Sequence, residues 1–301
     1  FWEGGVAALT AGRAEDQKVW LADLVAREWI AKTPRSRFAR ETEYVFQQDL
    51  IHEAAYAMLP EADRALGHWL AGEWLEGEGE RDSVVLARHF ELGGEAALAA
   101  RFYLRAAEQG LDAGDFASAA AHAERVAALP SDAAYGARAR AVQAEAHLHR
   151  GEIEAARARG LEAVRQLGPT EHAFFRAMAA VTVASGKLGD IATVQANARE
   201  LLGLAPGGGE VLSFAAATSA TVVQLVIGGD MAGAATLHAK LEAVVGAAER
   251  PEPAARGHVA RAGGARAAFS GDLFGSIECL RSAVAAFEAA GDLRTTCSMQ
   301  K

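Results

Sequence analysis

The sequence predicts an all-α fold, an α-solenoid of antiparallel helix hairpins with a smaller domain before it. A Gly-acidic dipeptide recurs at intervals of 37, 38, 40 and 42 residues, and alanine dominates an apolar fraction of 51%. Alanine has the highest helix propensity, and its small side chain lets helices approach closely. A period of about 40 residues is typical of arrays in which each hairpin buries its apolar face against its neighbours. The dipeptides are Gly114-Asp115, Gly151-Glu152, Gly189-Asp190, Gly229-Asp230 and Gly271-Asp272.

The first 78 residues differ from the rest, because they hold all five tryptophans. Apolar spacing predicts a helix from Asp16 to Lys32, with one face formed by Val19, Trp20, Leu24, Trp29 and Ile30. A short hairpin over 37–38 and 43–46 is expected next, followed by helices over 49–59 and 61–75. This order is typical of a winged-helix domain, so we predict one over residues 1–78. The Gly-Glu-Gly-Glu segment at 77–80 is the expected linker.

Residues 79–301 are predicted to form the array, with units near 96–130, 131–169, 170–206, 210–250 and 254–291 and a truncated next unit. The positions seven residues before and five residues after each repeated glycine carry small or β-branched residues, as closely crossing helices require. This pattern resembles lengthened tetratricopeptide (TPR) repeats. The predicted packing residues are Ala107, Ala119, Ala144, Ala156, Thr182, Val194, Val222, Ala234, Gly264 and Ser276.

A more specific resemblance covers essentially the whole chain. Segments 1–9 (FWEGGVAAL), 44–59 (YVFQQDLIHEAAYAML) and 86–90 (LARHF) resemble the winged helix and the start of the repeats in bacterial STAND/AAA-type signalling ATPases. The most similar type is the large serine/threonine kinase–ATPase–TPR fusion. The resemblance implies that an Arg-His pair of the winged helix lies near the ATPase nucleotide. Gln47 and Gln48 occupy those positions here, and glutamine carries no charge.

The sequence contains no constellation that predicts catalysis by this chain. Its only Gly-Lys pair, Gly186-Lys187, is followed by Leu188 and therefore does not complete a phosphate-binding loop. Neither a Gly-x-Ser-x-Gly nucleophile motif nor a His-Glu-x-x-His zinc motif occurs. We therefore predict no enzyme activity, no metal site and no cofactor, whereas the parent that the resemblance implies would be an ATP-dependent protein kinase.

Charge and composition predict the cellular compartment of the chain and the classes of partner that it disfavours. The formal net charge is -9, which disfavours nucleic acid and anionic membranes as partners. Two cysteines are too few for a disulfide framework and suit a reducing compartment. No apolar run is expected to approach the roughly 18 residues of a membrane span. The prediction is therefore a cytoplasmic protein, and a start at Phe1 with a stop soon after Gly291-Asp292 predicts a piece of a longer polypeptide.

One row of side chains predicts a binding surface. Equivalent positions in the first helices of successive units carry Arg101, Arg138, Arg176, Ala216 and His258. TPR geometry turns this position toward a concave groove, where guanidinium groups would clamp acidic side chains or a carboxylate of a protein or peptide partner. The alternative is a solvated face in which Glu108 and Glu145 neutralise the row.

Two functional hypotheses follow from these observations. In the first, the chain is a regulatory module that binds a protein partner, a small signal or the parent's own ATPase and kinase domains. In the alternative, it is a transcription regulator with a DNA-binding winged helix and an inducer-sensing array. Arg35, Arg37 and Arg40 motivate the DNA hypothesis, whereas the acidic Asp23 and Glu28 on the preceding helix oppose it.

Overall fold

The structure, a computed structural model, describes residues 1–10 and 14–299. These residues form sixteen α-helices and one two-stranded sheet, so the chain is mostly helical as predicted. The strands are β1 (Ile30–Lys32) and β2 (Tyr44–Phe46). The helices are α1 (Glu3–Thr10), α2 (Ala14–Ala26), α3 (Asp49–Met58), α4 (Glu61–Gly77), α5 (Ser83–Leu92), α6 (Ala96–Ala113), α7 (Phe116–Ala128), α8 (Ala133–Arg150), α9 (Ile153–Val164), α10 (His172–Lys187), α11 (Ile191–Gly203), α12 (Val211–Ile227), α13 (Met231–Ala247), α14 (Pro253–Phe269), α15 (Leu273–Ala289) and α16 (Leu293–Met299).

The chain divides into two compact units. The first comprises Phe1–Ala106 with Ala128–Ser131, and the second comprises Ala107–Ala127 with Asp132–Lys301. The last two residues of the predicted array, 300 and 301, lie outside the described part of the chain. The boundary predicted near residue 78 lies next to the end of α4, whereas the division of the chain between the two compact units falls within α6.

The predicted helix over Asp16–Lys32 is wrong after Ala26. Helix α2 ends at Ala26, and Glu28 adopts a left-handed backbone with φ of 59° before β1 begins. Strand pairing overrides the helical pattern here, because Ile30 pairs with Phe46 and is 1% exposed. Trp20 and Trp29 are exposed instead of forming a buried face. Residues 37–38, predicted as a strand, lie in the connection between β1 and β2.

Aromatic and aliphatic side chains hold the first unit together. Leu21, Ile30 and Tyr44 form its small buried cluster, against which Phe1 and Phe46 pack. A second group of rings joins Trp2, Phe38 and Trp74, with ring centroids 4.9 to 5.6 Å apart. Such ring pairs stabilise a fold beyond the area that they bury. Two of the five tryptophans, Trp2 and Trp74, therefore contribute to the packing of this unit.

The repeated Gly-acidic dipeptides end one helix and begin the next. Each of the five glycines has a positive φ, between 75° and 86°, which glycine adopts without the penalty of a side chain. The following aspartate then caps the next helix, as where Asp230 Oδ1 accepts the Gly233 N–H at 2.8 Å. Glu152 is the exception, since its carboxylate contacts His147 and Arg150 rather than the helix end. The same geometry at Gly94 and Gly291 extends the pattern in both directions.

Helices of the second unit pack in chain order. From α8 to α15 each helix packs against the next, and α8, α10, α12 and α14 also pack in sequence against one another. Two helices fall within each predicted repeat. All ten predicted packing residues are buried, and Ser276 Oγ donates a hydrogen bond to Gly264 O at 2.9 Å where α14 meets α15. Small residues thus lie at the close helix contacts.

One helix contradicts the expectation that no apolar run approaches membrane-span length. Residues Gly208–Ile227, a 3-10 turn leading into α12, have a mean hydropathy of 1.6 over a span-length window. However, 61% of that window is buried inside the protein, and α12 packs against α10, α13 and α14. A core helix has the same composition as a weakly apolar membrane span, and burial among other helices identifies α12 as the former.

Substituting Gly160 by alanine tests the close approach of α9 to α10. A Cβ at Gly160 would lie 2.5 Å from Val181 Cγ2 and 3.3 Å from the Ala177 carbonyl oxygen. We expect Gly160→Ala to lower the free energy of unfolding by about 1–3 kcal/mol, the usual cost of overpacking a core. The control is Gly246→Ala on α13, where nothing lies within 4 Å of the added Cβ. There alanine should stabilise by up to about 1 kcal/mol, and equal effects in chemical denaturation would contradict the close-contact interpretation.

Candidate functional site

A cavity of about 440 Å³ lies among the first helices of successive hairpins in the second unit. Helices α8, α10, α12 and α14 contribute to its walls, together with α16. Its apolar lining includes Phe175, Val183 and Leu212. The polar lining consists of Glu145, His149, His172, Arg176, Ser213, His258, Arg261, Arg294 and Thr295. A mainly apolar concavity with a few converging polar groups is the usual form of a ligand site.

Glu145 organises one side of the cavity. Its carboxylate lies 3.1 Å from Arg176 Nε on α10 and 3.1 Å from Arg294 Nη1 on α16. Arg294 also donates to the Leu111 carbonyl at 3.2 Å, and Arg176 lies 3.8 Å from Glu108. Two guanidinium groups are therefore held by carboxylates, which fixes their positions on the cavity wall.

His149 and His172 lie on the same cavity, on α8 and α10. Burial lowers the pKa of His149, although the nearby carboxylate of Glu145 acts in the opposite direction. The His149 ring stacks on Phe116, with 4.4 Å between ring centroids. His172 Nδ1 lies 2.7 Å from Ser213 Oγ. Both rings have partners within the protein, so neither requires a ligand to satisfy it.

His258 is different, because it is buried without a hydrogen-bond partner. It exposes 9% of its surface, and within the described part of the chain its Nδ1 atom has no partner. Burial, and then the nearby Arg261, lower the pKa of His258 to about 4. The ring is therefore neutral at pH 7, with one nitrogen that donates and one that accepts. Its ring and the Phe287 ring form a T-shaped pair, with 5.0 Å between ring centroids.

Arg261, one turn after His258 on α14, carries a positive charge that no described residue neutralises. Among the described residues it forms no ion pair within 4.0 Å and no hydrogen bond. Burial lowers its pKa, but arginine stays cationic in proteins. An unpaired guanidinium in a partly buried site is costly unless something supplies the missing negative charge.

The predicted row of binding residues is distributed over several environments. Arg176 and His258 line the cavity, whereas Arg138 pairs with Glu171 at 3.1 Å outside it. Arg101 belongs to the first unit, where its Nη2 atom lies 2.5 Å from Glu76 Oε1. Each of the three arginines thus has a carboxylate partner, although Glu76 and Glu171 are not the residues that the solvated-face alternative named. The identity of Arg176's partners, Glu145 and Glu108, does follow that alternative.

The other predicted site residues lie in the first unit. Gln47 and Gln48 are exposed between β2 and α3, and the Gln47 N–H donates to the Trp29 carbonyl at 3.0 Å. Neither residue is part of the lining of the cavity described above. Among the described residues, no three His, Cys, Asp or Glu side chains are grouped to hold a metal ion.

Two arginines of the cavity lining, Arg261 and Arg294, were not predicted from the sequence. Arg261 lies three positions after His258, and this spacing places two residues on one face of a helix. That signal was available from the sequence. The contribution of Arg294 was not, because it depends on α16 returning to contact α8 across more than 140 residues of chain.

Comparison with known proteins adds no family assignment. No protein-family model matches the chain, and no curated protein matches it at a significant level. The site must therefore be interpreted from its own geometry and chemistry.

Proposed function

We propose that this chain is a regulatory binding module, in which a TPR-like array recognises a protein, peptide or small signal on the face formed by its first helices. The observation that carries the proposal is the cationic cavity of about 440 Å³ lined by α8, α10, α12, α14 and α16. Helical-hairpin arrays function mainly through such extended binding surfaces. The excess positive charge at Arg261 favours an acidic or anionic group in the occupant.

The sequence resemblance supports a further part of the proposal, which concerns the parent protein. There, a winged-helix-like domain over residues 1–78 would join the array to a STAND-type ATPase and a serine/threonine kinase. A partner would regulate that parent by binding one conformational state more tightly than another. The parent's own domains would then be alternative occupants of the binding face.

Charge reversal at Arg176 and Arg294, which both line the cavity, tests this proposal. The whole chain, wild type or R176E/R294E, would be immobilised and exposed to a bacterial extract, with captured proteins quantified by mass spectrometry. We expect the variant to lose at least about tenfold of a specific partner, since hydrogen bonds to charged groups contribute about 1.5–3 kcal/mol each. The isolated kinase and ATPase domains of a parent would be tested in the same way.

The matched control reverses two arginines that lie away from the cavity. Arg199 on α11 and Arg256 on α14 are both exposed, so R199E/R256E makes the same change in net charge. It should retain the partner. Equal capture by all three proteins, or no specific capture by the wild type, would count against the proposed binding role.

The transcription-regulator alternative is less well supported by the first unit. Arg37 Nη2 lies 2.5 Å from Glu80 Oε1, and Arg27 is paired with Asp23 at 2.7 Å. Two of the arginines nearest the hairpin are therefore engaged within the protein. Binding of duplex DNA by the chain at moderate salt would favour this alternative.

A further inference from the structure

We propose that the cavity in the second unit binds a small organic carboxylate with an apolar body, whose carboxylate lies between Arg261 and His258. This inference rests on the proposed binding role of the array and specifies the ligand. Three features support it: the unpaired charge of Arg261, the unpartnered His258 ring and the apolar walls of the cavity.

The cavity lining contains three arginines and one glutamate, and this excess of positive charge favours an anion. Arg176 and Arg294 share the Glu145 carboxylate, and Arg176 also approaches Glu108 at 3.8 Å. Arg261 has no such partner among the described residues, and burial lowers its pKa without removing its charge. A single carboxylate on the ligand would supply the missing counter-ion. The fork geometry of a guanidinium suits both oxygens of a carboxylate.

His258 provides the second, independent indication of a ligand. It is more than nine-tenths buried, lines the cavity and leaves Nδ1 without a partner. That nitrogen is enclosed by protein atoms, whereas the other ring nitrogen, Nε2, is neither enclosed nor hydrogen-bonded among the described residues, so Nε2 is the atom that a ligand in the cavity can reach. A neutral imidazole can donate to one carboxylate oxygen while Arg261 binds the other.

The remaining walls define the body of the ligand. Phe175, Val183, Leu212, Ala216 and Ala220 present apolar surface from α10 and α12. The volume of about 440 Å³ lies within the range of small-molecule sites. An aromatic or branched aliphatic group would bury apolar surface here, whereas a bare inorganic anion would leave those walls in contact with water.

Calorimetric titration of the full chain with phenylacetate tests the proposal. Phenylacetamide has nearly the same shape without the charge, and acetate has the charge without the ring. We expect phenylacetate to bind at least about tenfold more tightly than either, because charge-assisted hydrogen bonds and ring burial each contribute more than about 1.4 kcal/mol. This comparison uses the wild-type chain, so it remains decisive even if a variant does not fold.

Arg261→Met should weaken phenylacetate binding by about 10- to 100-fold, the effect of losing a charged hydrogen bond. The matched control is Arg256→Met on the same helix, since Arg256 is exposed and lies outside the cavity lining. In the absence of ligand, Arg261→Met should be as stable as wild type or more stable in thermal unfolding, because it removes an unpaired charge. A strongly destabilised Arg261→Met would indicate a structural role and overturn the assignment.

Several outcomes would overturn the inference. These are equal binding of acid and amide, saturation by inorganic phosphate at the same concentration, and no binding of phenylacetate at millimolar concentration. If a peptide ending in phenylalanine binds only with a free C-terminus, and small acids do not bind, the carboxylate comes from a peptide. That result would overturn the proposal of a small-molecule ligand. Partner capture without acid binding would overturn this inference alone, and acid binding without partner capture would count only against the protein-partner role.

Discussion

Replacing Phe214 by alanine is expected to lower the free energy of unfolding by about 3–5 kcal/mol, the usual range for a buried phenylalanine. Phe214 on α12 is fully buried and meets the Phe175 ring edge-on, with 5.9 Å between centroids. It belongs to the large core that links α10, α12 and α13. Because the surrounding residues come from separate helices, they cannot collapse fully into the space left by the ring. Urea denaturation followed by circular dichroism would measure the loss.

The matched control for this prediction is Phe274→Ala on α15. Phe274 is 74% exposed, so the same chemical change removes little buried surface. We expect its effect to lie within about 0.5 kcal/mol of zero, as for most surface substitutions. Similar losses for Phe214→Ala and Phe274→Ala would show that the core is not where the structure places it.

Local sequence signals predicted the helical hairpins well, because each hairpin is determined by neighbouring residues. A glycine that adopts positive φ and an aspartate that caps the next helix are adjacent in sequence, so Gly189 and Asp190 mark a turn without further information. The small packing residues lie at fixed distances from that turn. Burial of Ala144 and Ala156 then follows from helix geometry.

The first unit was harder to predict, because long-range pairing decides its structure. Residues 30–32 continue an apolar helical pattern, yet they pair with residues 44–46, more than ten positions later. Burying Ile30 against that strand stabilises the fold, but a local sequence pattern contains no information about this long-range contact. For the same reason, the exposure of Trp20 could not be predicted from its spacing.

Two of the four Arg and His residues predicted for the groove lie in the cavity lining, but the sequence did not show which charges there are paired. Periodicity identified Arg176 and His258 as equivalent positions, and both line the cavity. Whether a guanidinium is paired depends on carboxylates from other helices, and the sequence does not specify those contacts. Arg138 is consequently paired with Glu171, whereas Arg261, which the repeat pattern did not select, is left without a counter-ion among the described residues.

Stability in acid should depend strongly on His258. The pKa of His258 is lowered to about 4 in the folded protein, first by burial and then by Arg261, while Asp292 acts in the opposite direction. An unfolded chain has the ordinary histidine pKa near 6.5 and takes up the proton first. The contribution of neutral His258 is therefore fully present above about pH 6.5 and is lost as the pH falls toward 4. Over that window the loss is on the order of 3 kcal/mol.

The comparison of wild type with His258→Gln isolates this effect from the other groups that titrate in acid. Glutamine remains uncharged, so the variant should lose less stability between pH 6.5 and pH 4, by on the order of 3 kcal/mol, when urea denaturation is repeated across the range. His172→Gln is the control, since His172 is an exposed histidine on the same cavity. If both substitutions changed the pH dependence equally, burial of His258 would not be its cause. If only His258→Gln changes it, the buried neutral imidazole that the cavity presents to a ligand is the group that titrates.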